Sequence, residues 1–452
     1  MSSEDFKVSN SGSHVWPAVR LGLAAEISAL SAELNETQWL SREAIEIRQM
    51  RQFRNLLQFV ADHSPFYAGH IAALRNVEFD SIESLQRLPL LSRRDIQSAG
   101  DAFFCRDVPS DQGEIGETQT SGSTGEPVRV KKTGITQLFW HTYTLRSHAW
   151  HRIPYDVPYS IIRPTVVDYA EHANWGAPFA FLYRTGATQT IPIGTPLAGQ
   201  IELLRKFQPE TLLVYPSNLR GLVEKWRDEG TGLQKLTCIK SIGETLSEDL
   251  RQAVAELDTG ITIVDGYSSQ ECGAIAIQCP EGGGYHVMSE SLIAEILDEE
   301  GQPCVPGQIG RIVITDLHNL ASPIIRYDIG DYAQLGEPCS CGRGLKKLDR
   351  ILGRRRNLVV KPNGDRHWPL VGFHDFGSIA PIRQYQMIQE TVDRITVRFV
   401  TDLPLTPDQK TAFIRLVQKA LGHEFEMEIV DQRESLPRRT GGKFEEFISK
   451  VS

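Results

Sequence analysis

The order of short apolar runs and helical stretches in the middle of the chain is the strongest constraint on its fold. Three runs have the length and composition of buried strands: residues 211–215 (TLLVY), 238–242 (CIKSI) and 261–264 (ITIV). Residues 247–257 lie between the last two and have helical spacing. Strands that alternate with helices are typical of an α/β protein with a largely parallel sheet. Residues 293–297 and 310–317 continue as strands, so the sheet becomes mixed or a second sheet begins.

The two ends of the chain differ from this middle. Residues 37–63 have an apolar helical face that should end near Ser64, because Pro65 disfavours helical geometry in the residue before it. Ser92 and Asp95 have the spacing of a helix N-cap with an acid in the first turn.

The pattern of predicted elements changes after residue 354. A helix at 407–421 separates strands at 394–400 and 425–430. We therefore predict an N-terminal tail at 1–36, a large N-terminal domain at 37–353 and a small α+β unit at 354–452.

Composition excludes several classes of protein. The chain has 452 residues, and 48 Lys and Arg against 57 Asp and Glu give a net charge of −9. A general nucleic-acid coat is disfavoured, because neutralising phosphates needs clustered Lys and Arg. No apolar run reaches the length of a membrane-spanning helix, about 18 residues, and the N-terminus does not resemble a secretory signal. Seven Cys are too few for a disulfide scaffold. We therefore expect a cytoplasmic protein with no nucleic-acid or membrane partner.

Several common signatures are missing from the sequence. It contains no G-x-x-x-x-G-K-[ST] phosphate loop, no strand–G-x-G-x-x-G–helix unit, no H-E-x-x-H and no C-x-x-C. A P-loop kinase, a dinucleotide-dependent oxidoreductase and a zincin are therefore disfavoured.

Five other segments have residues suited to nucleotide chemistry. They are residues 118–127 (TQTSGSTGEP), 265–273 (DGYSSQECG), 326–331 (RYDIGD), 353–364 (GRRRNLVVKPNG) and 436–444 (LPRRTGGKF). Glycines and hydroxyls in the first can hold phosphate oxygens without fixed charge. We interpret the second as a loop at the carboxyl end of a strand, where α/β proteins bind ligands. Each segment taken alone is also typical of a linker, a turn or a solvated connector.

Individual side chains within these segments have suitable chemistry. Tyr267 offers a flat face to a base, and Glu271 offers an oxygen ligand to Mg²⁺. Asp331 can accept hydrogen bonds from two sugar hydroxyls. Lys443 follows two glycines near the C-terminus and is placed to swing, although loose tails have similar sequences.

In this order, the five segments resemble the adenylate-forming superfamily of acyl-CoA synthetases, adenylation domains and luciferases. The similarity is greater to its phenylacetate–CoA ligase-like branch, which includes coenzyme F390 synthetase and capsule-protein relatives. Residues 63–67 (HSPFY) and 88–96 (LPLLSRRDI) also match that branch. The resemblance implies an α/β fold with a large N-terminal domain of sheets flanked by helices and a small, mobile α+β C-terminal lid.

The resemblance also implies roles for individual residues. Lys443 in the lid and Glu271, a ligand of Mg²⁺, would be catalytic, and Arg356 would be the hinge. Gln270 replaces the small hydroxyl residue that the family usually has near the α-phosphate. The residues expected to bind the nucleotide are Thr120, Ser121, Gly122, Ser123, Thr124, Gly125, Gly243, Glu244, Asp265, Gly266, Tyr267, Ser268, Asp331 and Arg354.

The reaction implied by the resemblance has two steps. A carboxylate attacks the α-phosphate of ATP and pyrophosphate leaves. The lid then rotates, and the acyl group passes from the adenylate to a thiol, with CoA as the family default. An aryl or arylacetic acid is expected, while an amine, a carrier protein or another nucleophile is an alternative acceptor. The sequence leaves the oligomeric state open, with a homodimer as one alternative.

We expect the acyl pocket between residues 140–175 and the strand ends within 214–243. Its aromatic lining would be Tyr143, Trp175, Phe179 and Tyr215, although aromatic residues more often belong to a core.

Cys279, His286, Cys339 and Cys341 form a C-x6-H…C-x-C pattern. Thiolates and an imidazole at four positions suit tetrahedral Zn²⁺, although the spacing is unlike that of common zinc fingers and Cys is also a frequent small core residue. Members of the phenylacetate–CoA ligase-like branch have a similar site. The resemblance therefore favours a structural zinc that ties two loops together beside the active site.

Two other classes of protein remain compatible with the sequence. One is a degenerate relative that binds a nucleotide or an aryl acid with weak turnover, an interpretation that Gln270 supports. The other is a zinc-stabilised interaction protein with no nucleotide chemistry. ATP–pyrophosphate exchange with a panel of acids separates the first from an active enzyme, and a thermal shift with ATP and Mg²⁺ separates the second.

Replacing Lys443 tests the implied chemistry. Lys443→Ala should slow adenylation by roughly 10²–10³-fold, because one donor to the transition-state charge is lost. ATP binding should weaken far less. Single-turnover rates that are comparable in the variant and the wild type would contradict the assignment.

Overall fold

A computed structural model of the chain describes residues 20–70, 77–119, 127–230, 232–257, 260–354, 359–364, 366–367, 376–377, 379–434, 436, 444 and 446–451. Three predicted elements of the site lie outside the described residues: the phosphate-loop residues Thr120–Gly125, the hinge Arg356 and the lid residue Lys443.

The α-helices are α1 (Leu23–Thr37), α2 (Arg42–His63), α3 (Pro65–His70), α4 (Arg93–Ala99), α5 (Gly134–Trp150), α6 (Phe179–Leu182), α7 (Leu197–Phe207), α8 (Pro216–Glu229), α9 (Glu248–Leu257) and α10 (Pro407–Leu421). Short 3₁₀ helices span Ile82–Arg87, Gly100–Phe103 and Ser110–Gln112. None of the helices within the described ranges is long and apolar enough to cross a bilayer.

The strands are β1 (Gly116–Gln119), β2 (Arg129–Lys132), β3 (Tyr159–Arg163), β4 (Ala170–His172), β5 (Thr188–Pro192), β6 (Thr211–Val214), β7 (Cys238–Ile242), β8 (Thr262–Ser269), β9 (Gly273–Gln278), β10 (Tyr285–Val287), β11 (Leu292–Leu297), β12 (Ile309–Asp316), β13 (Tyr327–Leu335), β14 (Lys347–Arg354), β15 (Val359–Val360), β16 (Arg366–His367), β17 (Gln384–Gln389), β18 (Arg394–Val400), β19 (Glu426–Gln432) and β20 (Phe447–Ser449).

A mixed sheet organises the larger part of the described chain. Its twelve strands follow the order β11-β12-β13-β14-β10-β9-β8-β7-β6-β3-β5-β4. Strands β3, β5, β6, β7 and β8 pair in parallel. Strands β9 to β14, and β4 at the opposite end of the sheet, pair antiparallel with their neighbours. The predicted parallel α/β core is therefore confirmed, and the later strands extend the same sheet rather than starting another.

Alternation along the parallel strands creates two different faces. Ile239 on β7 and Leu212 on β6 pack with Leu219 and Val223 of α8 and Leu250 of α9. The neighbouring residues point to the opposite face, where Leu213 of β6 packs in one cluster with Leu145 of α5. Helices thus cover both faces of the parallel part of the sheet, as parallel sheets require.

The N-terminal region differs from the prediction. Leu23–Thr37 is a helix with Ile27 and Leu34 buried, so residues 23–36 are not a tail. The next helix begins at Arg42 rather than Thr37, because the Ser41 hydroxyl caps it by accepting from the Ala44 N–H. It ends at His63, as the following proline predicted. The helix that begins after Ser92 has the expected N-cap, a capping box with Asp95.

The C-terminal part forms a separate sheet with the order β19-β18-β17-β20. Phe413, Val417 and Leu421 of α10 are buried in its core. The predicted strand–helix–strand order is confirmed, and α10 has the predicted bounds. Thr406 and Gln409 form a capping box at its start. The domain boundary at residue 354 remains a prediction.

Candidate active site

The segment at 265–273 is not the loop that the sequence suggested. Strand β8 continues to Ser269 and turns directly into β9. Its parallel pairing with β7 ends where Ile242 lies opposite Gly266, and β9 then pairs with it antiparallel. The poor strand formers in DGYSSQECG adopt this geometry because a tertiary partner supplies their hydrogen bonds. The predicted site residues Asp265, Gly266, Tyr267 and Ser268 therefore lie on a strand at the edge where the direction of pairing changes.

Tyr267 and Asp331 meet in this structure. The Tyr267 hydroxyl donates to Oδ2 of Asp331 at 2.6 Å. Asp331 lies opposite Arg354 in the β13–β14 pair, and the Arg354 Nε is 3.6 Å from Oδ1. Burial and the negative charge of Asp331 raise the pKa of Tyr267 well above its ordinary value, so the phenol stays protonated as a donor. Asp331 therefore contacts two other residues that are predicted to bind the nucleotide, Tyr267 and Arg354.

Glu271 is buried beside positive charge. A guanidinium nitrogen of Arg93 lies 3.6 Å from its Oε1, and the Tyr327 hydroxyl is 3.4 Å from the same oxygen. Lys132 Nζ donates to the Glu271 backbone carbonyl at 2.9 Å. The carboxylate therefore has the chemistry that a Mg²⁺ ligand needs.

Asp265 is held by a neighbouring strand. The Tyr285 hydroxyl donates to its Oδ2 at 2.5 Å, and the Asp265 N–H donates to the Gln278 side chain at 2.9 Å. Burial raises the pKa of Asp265 above its ordinary value, although the Tyr285 hydrogen bond and the positive charge of Arg251 oppose that shift. The residue is fixed in place beneath the strand edge.

Gly243 and Glu244 follow β7 at the same edge. Gly243 has φ of 82°, and a Cβ there would lie 2.9 Å from the Tyr215 ring, so the position requires glycine. Glu244 accepts from the Ser217 N–H at 2.9 Å and from the Phe444 N–H at 2.6 Å. Phe444 directly follows Lys443 in the chain. The C-terminal part therefore contacts the predicted nucleotide site.

A second contact between the two parts lies nearby. Arg220 of α8 is buried, 2.9 Å from Asp249 and 3.3 Å from Glu446. The Tyr385 hydroxyl donates to Glu446 Oε2 at 2.8 Å. We call Arg220, Glu446 and Tyr385 the latch. It ties the segment that contains Phe444 to the body of the protein.

The four aromatic residues predicted to line the acyl pocket are buried. Tyr143 belongs to one packing cluster with Leu34 and Met288. Trp175 and Phe179 pack edge-to-face at 5.2 Å in another, and Tyr215 lies against Gly243. Their role in binding an acid remains a prediction.

Cys279, His286, Cys339 and Cys341 form the group predicted to bind zinc. Their ligand atoms all lie within 4.8 Å of one another. The Cys279 and Cys339 sulfurs are 3.7 Å apart, and His286 Nε2 is 3.2 Å from the Cys341 sulfur. Tetrahedral Zn–S bonds of about 2.3 Å place sulfurs about 3.8 Å apart, so the four residues fit the ion. A Cβ at Gly282 would lie 2.4 Å from the Cys339 sulfur, which explains the glycine.

Several residues in the site had no assigned role in the sequence analysis. Arg93 lies within the LPLLSRRDI segment, but nothing in its spacing indicated a contact with Glu271, 178 positions further along. Tyr327 lies in RYDIGD, where the sequence drew attention to Asp331 alone. Tyr285 and Arg220 had no local signal, because their partners come from distant strands and helices.

Comparison with known proteins identifies sequence relatives of the chain. A family model described as AMP-binding enzyme matches residues 119–321. Phenylacetate-coenzyme A ligase of Thermus thermophilus is 26% identical over 340 residues, which cover 72% of this chain and 74% of that protein. The same-named ligase of Escherichia coli is 25% identical and covers 73% of this chain and 76% of its own.

Solved structures agree on the fold. A 2-hydroxyisobutyryl-CoA ligase in its postadenylation state superimposes with a TM-score of 0.70 at 18% identity, covering 89% of both chains. The same ligase in its thioesterification state gives a TM-score of 0.56 at 19% identity over 89% of both chains. The structures show that the chain has the fold of adenylate-forming enzymes, and its sequence matches are to an AMP-binding enzyme family and to phenylacetate-coenzyme A ligases.

Proposed function

We propose that this protein uses ATP to activate a carboxylic acid and then transfers the acyl group to the thiol of CoA. In the first step a carboxylate oxygen bonds to the α-phosphorus of ATP and the bond to pyrophosphate breaks. In the second, the thiol sulfur bonds to the acyl carbon, AMP leaves and the thiol proton is released. The meeting of Tyr267, Asp331 and Arg354 beside Glu271 is the observation that supports this proposal most directly.

The nucleotide would lie along the edge formed by β8, β13 and β14. Tyr267 would contact the adenine, and the Asp331 carboxylate would accept hydrogen bonds from the ribose hydroxyls. Because Tyr267 and Arg354 already fix the carboxylate, little reorganisation would accompany binding. The hydroxyl-rich segment at 120–125 would hold the phosphates.

Positioning and charge neutralisation would account for most of the rate. Mg²⁺ bound with ATP would neutralise phosphate charge when present, and Glu271 is the residue that would hold it. Arg93 orients that carboxylate from the protein side. Lys443 would approach the reacting phosphate from the C-terminal part.

The contacts at Glu244 and in the latch support a first step in which the C-terminal part lies against the large N-terminal domain. Both contacts must break if the C-terminal part rotates about Arg356 to admit a thiol. The proposed second step therefore requires a change that the latch opposes.

We also propose that Cys279, His286, Cys339 and Cys341 bind a structural Zn²⁺. Burial lowers the pKa of His286 to about 4, so its imidazole is neutral, as a ligand must be. His286 Nδ1 lies 3.4 Å from the Leu345 carbonyl, which fits the orienting contact that metal-bound histidines usually make. The ion would join the end of β9 to the loop before β14.

An acid panel tests the proposed activity. Pyrophosphate exchange should occur with aryl or arylacetic acids, and CoA should convert the adenylate to a thioester. Asp331→Ala should raise the KM for ATP by about 10-fold or more, because hydrogen bonds to a charged acceptor are lost. Asp111→Ala, at an exposed site, is the matched control.

The panel also separates the alternatives. If exchange occurs without thioester formation, and an amine or a carrier protein gives a product, then that nucleophile rather than CoA is the acceptor. Absence of exchange with every acid would reject the activity.

Removing the metal tests the zinc proposal. Purified protein should contain about one zinc per chain, and Cys339→Ser should abolish it and lower the melting temperature by several degrees. Cys304→Ser, at a buried thiol outside the cluster, should retain the metal. Zinc well below one per chain in the wild type would contradict the proposal.

Weakening the latch tests the lid. Glu446→Gln should slow pyrophosphate exchange by about 10-fold, because a partly exposed ion pair that holds the lid is lost. Thioester formation from a supplied acyl-adenylate should be unchanged or faster. Glu390→Gln, which breaks the exposed pair with Lys450, is the control. Equal slowing of both half-reactions would argue against the latch.

A further inference from the structure

A lysine is buried in the middle of the parallel sheet. Lys240 is the central residue of β7, and only 8% of it is exposed. Leu213 of β6 and Val264 of β8 lie beside it in register. Residue alternation places Lys240 on the same face as Cys238 and Ile242, opposite to Ile239, which packs under α7, α8 and α9. Its side chain therefore points to the face that α5 covers.

No acidic partner accompanies this ammonium group. Within the described ranges, Lys240 forms no ion pair with any Asp or Glu. The titratable groups that influence it are Cys238 on its own strand, His148 on α5 and His151, the residue that follows α5. Burial lowers the pKa of Lys240 to about 8. A buried cation without a counter-charge is costly to the fold, which calls for a reason why lysine occupies this position.

The same face contains other polar groups that lack partners. His148 is fully buried, and neither ring nitrogen has a hydrogen-bond partner among the described residues. Its ring packs against Phe179 at 4.3 Å and Trp175 at 5.6 Å. The hydroxyl of Thr211, which lies opposite Cys238 and two register positions from Lys240, also lacks a partner among the described residues. An ammonium, an imidazole and a hydroxyl thus lie on one apolar face with unused donors.

Lys240 lies below the strand edge at which the nucleotide is proposed to bind. Ile242, two residues beyond Lys240, lies opposite Gly266, and Gly243 and Tyr267 follow at the nucleotide edge. At a rise of about 3.3 Å per residue, Lys240 lies roughly 7 Å deeper along the strand than Ile242, the last residue of β7. This depth is comparable with the span of a para-disubstituted benzene ring. An acid with its reactive carboxyl at the edge would reach toward Lys240 with its far end.

We propose that Lys240 and His148 form the floor of the acyl-binding side of the site and select an aromatic acid that has a second carboxylate at the end opposite its reactive one. This inference rests on the proposed function and specifies its substrate class. The ammonium would pair with the second carboxylate, and an imidazole N–H would donate to it. Trp175 and Phe179 would lie beside the ring.

Matched pairs of acids test the inference. Pyrophosphate exchange is measured with benzene-1,4-dicarboxylate against benzoate, and with 4-carboxyphenylacetate against phenylacetate. The wild type should have a higher kcat/KM for each diacid. Lys240→Met should lower the diacid-to-monoacid ratio by roughly 100-fold, because one partner of a desolvated charge pair is removed.

Two controls separate specificity from folding. Lys235→Met, at an exposed position beside β7, should leave the ratio unchanged. Lys240→Met should have a melting temperature no lower than that of the wild type, because methionine removes a buried charge while filling a similar volume. Lys240→Arg should retain part of the diacid preference.

The outcomes are distinct. A wild type that exchanges pyrophosphate with monoacids but shows no diacid preference would overturn this inference alone, as would a Lys240→Met variant that loses activity equally with both acids. Absence of exchange with every acid would overturn the proposed function and, with it, this inference.

Discussion

The hydrogen bond from Tyr267 to Asp331 joins two residues that are 64 positions apart, and the geometry of the site depends on it. It forms beyond the point where the parallel pairing of β8 with β7 ends, at Gly266, and where β9 pairs antiparallel with the other edge of β8. This change brings the end of β8 near β13 and β14, where Asp331 lies opposite Arg354. A parallel sheet supplies the strand ends, and its antiparallel extension supplies the carboxylate that faces them.

Charge in this region is arranged around buried carboxylates. Asp331 faces Arg354, and Glu271 faces Arg93. The phenols of Tyr267, Tyr285 and Tyr327 lie next to Asp331, Asp265 and Glu271, respectively. Each carboxylate thus keeps its position through neighbours that are themselves fixed in strands or at a helix start. Lys240 differs from these carboxylates. It is a buried cation within β7, and it forms no ion pair with an acid among the described residues.

The sequence predicted much of the fold because hydrophobic periodicity fixes where strands and helices lie. The strand at Cys238–Ile242 and the helix at Pro407–Leu421 have the expected bounds, and the latter begins with proline and ends before glycine. The interpretation of residues 265–273 as a loop was wrong, because pairing with β9 overrides the low strand propensity of Asp, Gly and Ser. The helix at Leu23–Thr37 lay within the predicted tail, and its burial depends on contacts with α5 and α6.

The site was only partly predictable because several of its residues are brought together by tertiary packing. Motif order indicated Tyr267, Glu271 and Asp331, whereas Arg93, Arg220 and Tyr285 acquire their contacts through tertiary packing. Lys240 did have a local signal. It is a charged residue at the centre of CIKSI, a candidate strand of a largely parallel sheet, and the strands of parallel sheets are usually buried on both faces. The roles of Thr120–Gly125, Arg356 and Lys443 remain predictions from the resemblance.

A crystal structure of the protein with AMP and an acid would test the central claim most directly. The adenine should lie against Tyr267, both ribose hydroxyls should donate to Asp331, and the α-phosphate should face the segment at 120–125. A nucleotide bound elsewhere, with Tyr267 and Asp331 still joined only to each other, would contradict the account.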